Sequence, residues 1–257
     1  MNRTLDGRVA LVTGAASGIG AATAELLSQQ GATTYRADLA VSGSADRASW
    51  QTAPDTELQL DVREETDWDR ATATVLEREG RLDILVHCAG IAAASPLADT
   101  SLAEWRRVMA TNLDGAFLAT RHGIRAMGAA GGAIVLVGSV SGIQPSAGAA
   151  AYSTSKAGVG MLARAAAKEC RELGLPVRVN AVSPGGVKTP LWEAMPFFRD
   201  LVEKHGSSRA AFEAMEAHGG DRFAEPEQVA RAILFLVSDA ADHVTGVELP
   251  VDDGYTV

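Results

Sequence analysis

The sequence predicts one doubly wound α/β domain, a parallel sheet with helices on both faces and one helical insertion. Three observations predict it. Short Val/Ile/Leu runs of strand length alternate with amphipathic stretches of helix length. Continuous apolar runs suit strands covered on both faces, and repeated strand–helix–strand units give a parallel sheet. A glycine-rich turn joins the first strand run to the first helical stretch. The 257 residues show no linker, repeat or low-complexity tract, so residues 1–257 read as a single domain.

Taken in order, Val9–Thr13 is the first strand and Ile19–Gln30 the first helix, stopped by Gly31. Thr33–Asp38 and Leu58–Asp61 are the next strands, and Glu64–Glu79 is a helix ending at Gly80. Leu82–His87 is the fourth strand. Ser101-Leu102-Ala103-Glu104 reads as a capping box opening a helix through about Met127. Ala133–Ser139 is the fifth strand, and Ala151–Leu173 is a long helix stopped by Gly174 and Pro176. Val177–Val182 is the sixth strand. Pro226 opens the last helix, with Val229, Ala230, Ile233, Leu234 and Val237 on one stripe. Val247–Val251 is the last strand. Residues 190–222 break the alternation and carry no strand pattern.

Composition narrows the function classes. Hydrophobic residues make up 47% and charged residues 21%, the balance of a globular chain rather than a disordered one. With 23 basic and 32 acidic residues the net charge is −9, and no basic face for nucleic acid is expected. No apolar run reaches the roughly 18–20 residues that span a bilayer, and Met1–Gly7 has no apolar signal core. Two cysteines, Cys88 and Cys170, are too few for a disulfide scaffold and read as reduced thiols in a cytoplasmic protein. The histidines show no metal-ligand spacing, so no metal is expected.

Thr13-Gly14-Ala15-Ala16-Ser17-Gly18-Ile19-Gly20 directly follows the first strand and opens the first helix. A pyrophosphate can approach backbone N–H groups at a helix N-terminus only where side chains do not hold it off. The spacing is G-x-x-x-G-x-G, and its place between strand and helix makes it a dinucleotide-binding turn. Asp38 ends the second strand eighteen residues after Gly20, where a carboxylate accepts from ribose hydroxyls and repels a 2′-phosphate. Arg36 lies on the same strand. Asp61-Val62 ends the third strand in the equivalent place and either borders the adenine or caps the helix before Glu64.

Tyr152 and Lys156 stand four apart in Tyr152-Ser153-Thr154-Ser155-Lys156, on one helix face. An ammonium there is expected to lower the tyrosine pKa, so that the phenol can trade a proton with an alcohol or ketone oxygen. Ser139 ends the fifth strand thirteen residues before Tyr152, facing the crevice at the strands' carboxyl ends.

With these motifs the chain resembles the short-chain dehydrogenase/reductase family over essentially its whole length. The matches are Thr13-Gly14-x-x-x-Gly18-x-Gly20, Asp61-Val62, Cys88-Ala89-Gly90, Asn112, Ser139 with Tyr152-x-x-x-Lys156, and Pro184-Gly185. The resemblance implies a Rossmann-type sheet and NAD(P)-dependent oxidoreduction. It makes Tyr152 the general acid/base, Ser139 the group that orients the substrate oxygen, and Lys156 the holder of the nicotinamide ribose. Asn112 would hold a water leading from Lys156 to solvent, and Asn180 would support the active-site loop. Gly14, Ser17, Gly18, Ile19 and Gly20 would take the pyrophosphate, and Cys88, Ala89 and Gly90 would border the cofactor. Pro184-Gly185 would close over the nicotinamide, with the Val187 backbone and Thr189 hydroxyl near the carboxamide. Two departures stand out. His87-Cys88 replaces the usual Asn-Asn, and Asp252-Asp253-Gly254 replaces Asp-Gly-Gly.

The expected function is hydride transfer between NAD(H) and a secondary alcohol or ketone, in a likeness to bacterial hydroxysteroid and other bulky secondary-alcohol dehydrogenases. Asp38 selects NAD. A 3-oxoacyl thioester reductase is the first rival, disfavoured by Asp38 and by a turn without a basic residue; a non-catalytic cofactor-binding regulator is the second. Family habit implies a homotetramer. The segment 190–222, with Trp192, Phe197, Phe198 and Phe212, is expected to be an apolar substrate lid at the sixth strand's carboxyl end.

Overall fold

The computed structural model describes residues 4–39, 56–219 and 222–257; Gly220 and Asp221 of the expected lid lie outside the described residues. Seven strands form one sheet: β1 (Val9–Thr13), β2 (Thr33–Asp38), β3 (Glu57–Gln59), β4 (Ile84–His87), β5 (Gly132–Val137), β6 (Val177–Pro184) and β7 (Glu248–Val251). The spatial order is β3-β2-β1-β4-β5-β6-β7, with every neighbouring pair parallel. The order reverses between β1 and β4, and ligands of such sheets bind outside the strand ends at that switch point.

Every residue of β1 is buried, and alternation divides them between the two faces. Val9 and Leu11 join a core with helices α2 (Glu65–Glu79), α4 (Gly115–Met127) and α5 (Ala150–Glu172). Ala10 and Val12 join the opposite core with α1 (Gly18–Gln29) and α8 (Pro226–Val237). Paired faces of this kind explain why the strands read as unbroken apolar runs.

Several boundaries differ from the sequence reading. β3 is a three-residue edge strand that stops two residues before Asp61. β5 stops at Val137, so Ser139 lies beyond the strand and opens a short 3₁₀ turn, Val140–Gly142. β6 runs on to Pro184. The helix expected from Ser101 to Met127 is α3 (Leu102–Met109), a π-helical turn over Ala110–Asp114, and α4. Its start is as read, since Ser101 Oγ accepts from the Glu104 N–H at 3.1 Å. Apolar spacing cannot reveal a wider turn inside a continuous helix. Such turns collect at functional sites, and this one holds Asn112.

The 190–222 segment contains a 3₁₀ turn (Pro190–Ala194), α6 (Pro196–His205) and α7 (Ser208–Gly219). Phe198 and Phe212 are buried in a small core of the segment itself, packed by Trp192, Met195 and Phe223. Trp192 meets Phe212 edge-on at 6.2 Å and Phe223 at 5.3 Å between ring centroids, and Phe198 and Phe212 lie 4.7 Å apart. The apolar face assigned to substrate is therefore corrected in part. The aromatic rings satisfy one another, as clustered aromatics do when they can reach offset or edge contacts. No helix among the described residues is long and apolar enough to cross a membrane.

Candidate active site

Positive φ values at Gly14 (66°) and Gly18 (53°) turn the chain from β1 into α1, a conformation that favours glycine. A Cβ on Gly14 would stand 2.7 Å from the Ala89 nitrogen, so the turn packs against the exit of β4. Ser17 is the N-cap of α1, makes no side-chain cap, and no acidic residue occupies the first turn. The helix N-terminus is thus open to an anion. Ile19 turns inward and packs on the α1–α8 core. Asp38 lies beside the turn. Its Oδ2 accepts from the Ala16 N–H at 3.0 Å and its Oδ1 from the Leu39 N–H at 2.8 Å. Each oxygen keeps a second lone pair for a ribose hydroxyl. Arg36 is buried and paired with Glu25 of α1 at 3.1 Å, which holds it in place on the strand. Together the uncapped helix end, the bare glycine turn and the flanking carboxylate fit a dinucleotide.

Asp61 pairs with Arg63 two residues on. Its carboxylate takes Arg63 through Nε at 2.8 Å and Nη2 at 2.5 Å, and the Arg63 side-chain bonds hold its pKa below the ordinary range. Of its two expected roles the helix cap is corrected, because Glu64 is the N-cap residue of α2. Val62 is buried against Gly115, and its carbonyl accepts from Trp68 Nε1 at 3.0 Å.

The His87-Cys88 departure becomes interior structure. His87 Nδ1 lies 2.9 Å from Thr13 Oγ1, and burial, then Lys156, lowers its pKa to about 3, so the ring is neutral. The Cys88 thiol is pushed up to about 12 by burial, which leaves almost no thiolate at neutral pH. The Ala89 N–H reaches Thr13 Oγ1 at 3.4 Å, so the backbone of Cys88-Ala89-Gly90 is braced by the end of β1.

α5 carries Tyr152 and Lys156 one turn apart, with Nζ 5.8 Å from the Tyr152 ring centroid. Lys156 is 4% exposed and donates to the Val137 carbonyl at 2.8 Å; burial lowers its pKa to about 8. Burial raises the Tyr152 pKa, and the Ser139 hydroxyl opposes that rise. The expected lowering of Tyr152 by Lys156 is therefore corrected for the chain by itself. The ammonium is turned to the end of β5, and desolvation of the phenolate outweighs the serine.

Asn112 is 1% exposed. Its Oδ1 accepts from the Ile91 N–H at 2.8 Å, and its Nδ2 donates to the Ile91 carbonyl and to Ser155 Oγ, both at 3.0 Å. A Cβ on Gly90 would stand 3.3 Å from both Asn112 Oδ1 and Lys156 Nζ. Asn112 thus lies beside Lys156, as the resemblance implies, but its amide clamps the exit of β4. Ser155, which sequence reading passed over, is the far end of that clamp and also donates to the Tyr152 carbonyl at 2.7 Å.

Beyond Pro184, the Gly185 N–H donates to the Val251 carbonyl at 3.0 Å. Val187 forms a parallel bridge with Ala224, and its carbonyl accepts from Trp192 Nε1 at 2.9 Å. Thr189 closes on the glycine turn, its Cγ2 3.0 Å from where a Gly18 Cβ would stand. Asn180 is placed elsewhere than expected. It ties Val244 and Val247 ahead of β7 at 3.0 and 3.1 Å. Asp253, in the family's glycine position, adopts a φ of 52°, and Asp252 braces the turn through the Gly254 N–H and Thr256.

Beside this centre lies a cavity of about 310 Å³. Its walls are residues 91–94 after β4, Glu104 and Arg107 of α3, and Leu191, Ala194 and Pro196 of the insertion. Sequence reading did not single out Glu104 as a lining residue, or Arg107 at all, because nothing in their spacing on a charged helix face marks them.

A model of the family described as enoyl-(acyl carrier protein) reductase matches residues 14–256. The chain is 43% identical to cis-4-hydroxycyclohexanecarboxylate dehydrogenase of Sinomonas cyclohexanicum, over 97% of this chain and 96% of that one. It is 38% identical to cyclopentanol dehydrogenase of Comamonas sp. (strain NCIMB 9872), over 100% and 99%. The ligand-free aldohexose dehydrogenase structure of Thermoplasma acidophilum superposes with a TM-score of 0.83 at 29% identity, covering 99% of this chain and 96% of that one. The chain belongs to the short-chain dehydrogenase/reductase family. It is an oxidoreductase of a family that works with a nicotinamide cofactor.

Proposed function

We propose that this enzyme interconverts a cyclic secondary alcohol and its ketone, with NAD(H) as the hydride carrier. The carrying observation is the convergence of Ser139, Tyr152 and Lys156 between an open dinucleotide turn and a small cavity with both apolar and charged walls. The nicotinamide, when bound, accepts or supplies the hydride. Gly14, Ser17, Gly18 and Gly20 hold the pyrophosphate, Asp38 the adenosine ribose, and Lys156 the nicotinamide ribose. In oxidation the Tyr152 oxygen takes the carbinol proton, and in reduction it returns one to the carbonyl oxygen. Ser139 holds that same oxygen in line. Asn112 keeps Ile91, a wall of the cavity, in register with the centre.

Ring alcohols are favoured because two relatives are named for them, and because a cavity of about 310 Å³, at the low end of ligand cavities, has room for a ring. The thioester reductase reading is disfavoured by Asp38, and the regulator reading by an intact catalytic set. The proposal includes a cytoplasmic homotetramer joined through α4 and α5; in its support, Phe117 and Met161 on those helices are exposed.

Comparing kcat/KM for NAD⁺ and NADP⁺ with cyclohexanol tests the cofactor. A 2′-phosphate beside the Asp38 carboxylate costs a few kcal/mol, so NAD⁺ should be preferred about tens- to hundreds-fold. Asp38→Ala should erase most of that margin. Equal or better performance of the wild type with NADP⁺ contradicts the assignment.

A further inference from the structure

Arg107 stands on the wall of the cavity without an acidic partner among the described residues. Glu104 is three residues away on the same helix, in the first turn of α3, where the helix N-terminus stabilises a carboxylate. Arg107 has no matching compensation. α3 runs through the π turn directly into α4, so no free helix C-terminus faces its guanidinium. Ala92, Ala93, Leu191 and Pro196 supply apolar surface to the same cavity. The cavity also includes Ile91, which Asn112 ties to the Gly90–Lys156 corner of the catalytic centre. A ring seated on the apolar residues with its carbinol toward the centre therefore has one exposed guanidinium, that of Arg107, on the wall of the same cavity.

We infer that Arg107 is a specificity-determining residue that makes this site select ring alcohols bearing a carboxylate away from the carbinol. The inference rests on the cyclic-alcohol reading above and names the second functional group of that substrate. A guanidinium is always charged, and its planar fork matches a carboxylate with two parallel hydrogen bonds. Glu104 disfavours an anion nearby, so the carboxylate must meet Arg107 and avoid Glu104, which fixes the orientation of the ring.

The test uses the full chain loaded with NADH and, as probe, cyclohexanecarboxylate, which has no carbinol to oxidise. Calorimetry should detect binding to the wild type, and R107Q should weaken it about ten- to a hundred-fold, the usual range for losing a charge-assisted hydrogen bond. R107K, which keeps the charge but not the fork, should fall between, and E104Q should bind more tightly than wild type. NADH affinity should be the same in all four. In parallel, R107Q should lose far more kcat/KM on 4-hydroxycyclohexanecarboxylate than on cyclohexanol, so that the ratio of the two efficiencies falls about ten- to a hundred-fold. Equal binding of the probe by wild type and R107Q, or no binding by the wild type, overturns the inference. A wild type that fails to oxidise cyclohexanol contradicts the cyclic-alcohol reading instead, and the calorimetric comparison still decides the role of Arg107.

Discussion

The Gly14–Gly20 turn and the 190–222 segment meet where Thr189 closes on Gly18, and they keep their shapes by different means. The turn has almost no side chains. Its form follows from two positive φ angles and from backbone packed against Ala89, so each glycine has a place that spacing alone reveals. The segment is the reverse case, rich in large rings with no backbone signature. Its composition says that apolar surface must be buried but not against what, and the rings bury one another. Position-specific chemistry is readable from spacing, while the partner of a nonspecific apolar face is set by three-dimensional reach.

Breaking the position-specific side should give the largest effect. Tyr152→Phe removes one oxygen and keeps the ring, so turnover should fall about 10²–10⁴-fold while NADH binding, followed by fluorescence, stays within a few-fold. Near-normal turnover would mean that the proton travels by another group.

Breaking the other side should cost stability before chemistry. Phe198 is fully buried in the insertion's own core. Phe198→Ala should destabilise that subcore by about 3–5 kcal/mol. Limited proteolysis should then cut the 190–222 segment first, with the rest of the domain still folded. If Phe198→Ala changes KM for a ring alcohol but not protease sensitivity, Phe198 faces substrate and the self-packed account is wrong.

A smaller effect sharpens the comparison at the centre. Ser139 lowers the Tyr152 pKa against the rise caused by burial. Alcohol oxidation needs the deprotonated oxygen, so its rate should climb as pH rises toward the tyrosine's alkaline pKa. Ketone reduction needs the proton and should fall over the same range. Ser139→Ala removes a lowering influence, so the alkaline limb should move to higher pH, beyond a general loss of rate. An unmoved limb would separate Ser139 from the titration of Tyr152.

The central strands were the most legible, because β1 and β4 bury both faces and so read as continuous apolar runs. The capping serine of α3 was legible for a local reason, a side chain bonding its own first turn. What escaped depends on distant partners. The π turn at Ala110–Asp114 keeps a helical apolar pattern, and the clamp of Asn112 on Ile91 spans twenty-one residues. Asp61 was legible as a carboxylate just beyond the third strand, but not its capture by Arg63 two residues on. The Tyr152–Lys156 spacing was legible, whereas the direction of the tyrosine's shift depends on burial that a helical wheel does not supply. The family's Asp-Gly-Gly position shows the same limit. Asp253 accepts a left-handed φ because Asp252 and Thr256 brace the turn around it.

The most direct measurement of the central claim is NADH formation, followed by absorbance, when the enzyme and NAD⁺ are given cyclohexanol, cyclopentanol or propan-2-ol at matched concentrations. The ring alcohols fill the cavity's apolar wall and gain about 25 cal/mol for each Å² buried. Their kcat/KM should exceed that of propan-2-ol by at least about ten-fold. Equal rates for the three alcohols, or no NADH from either ring alcohol, would contradict a dehydrogenase built for cyclic secondary alcohols.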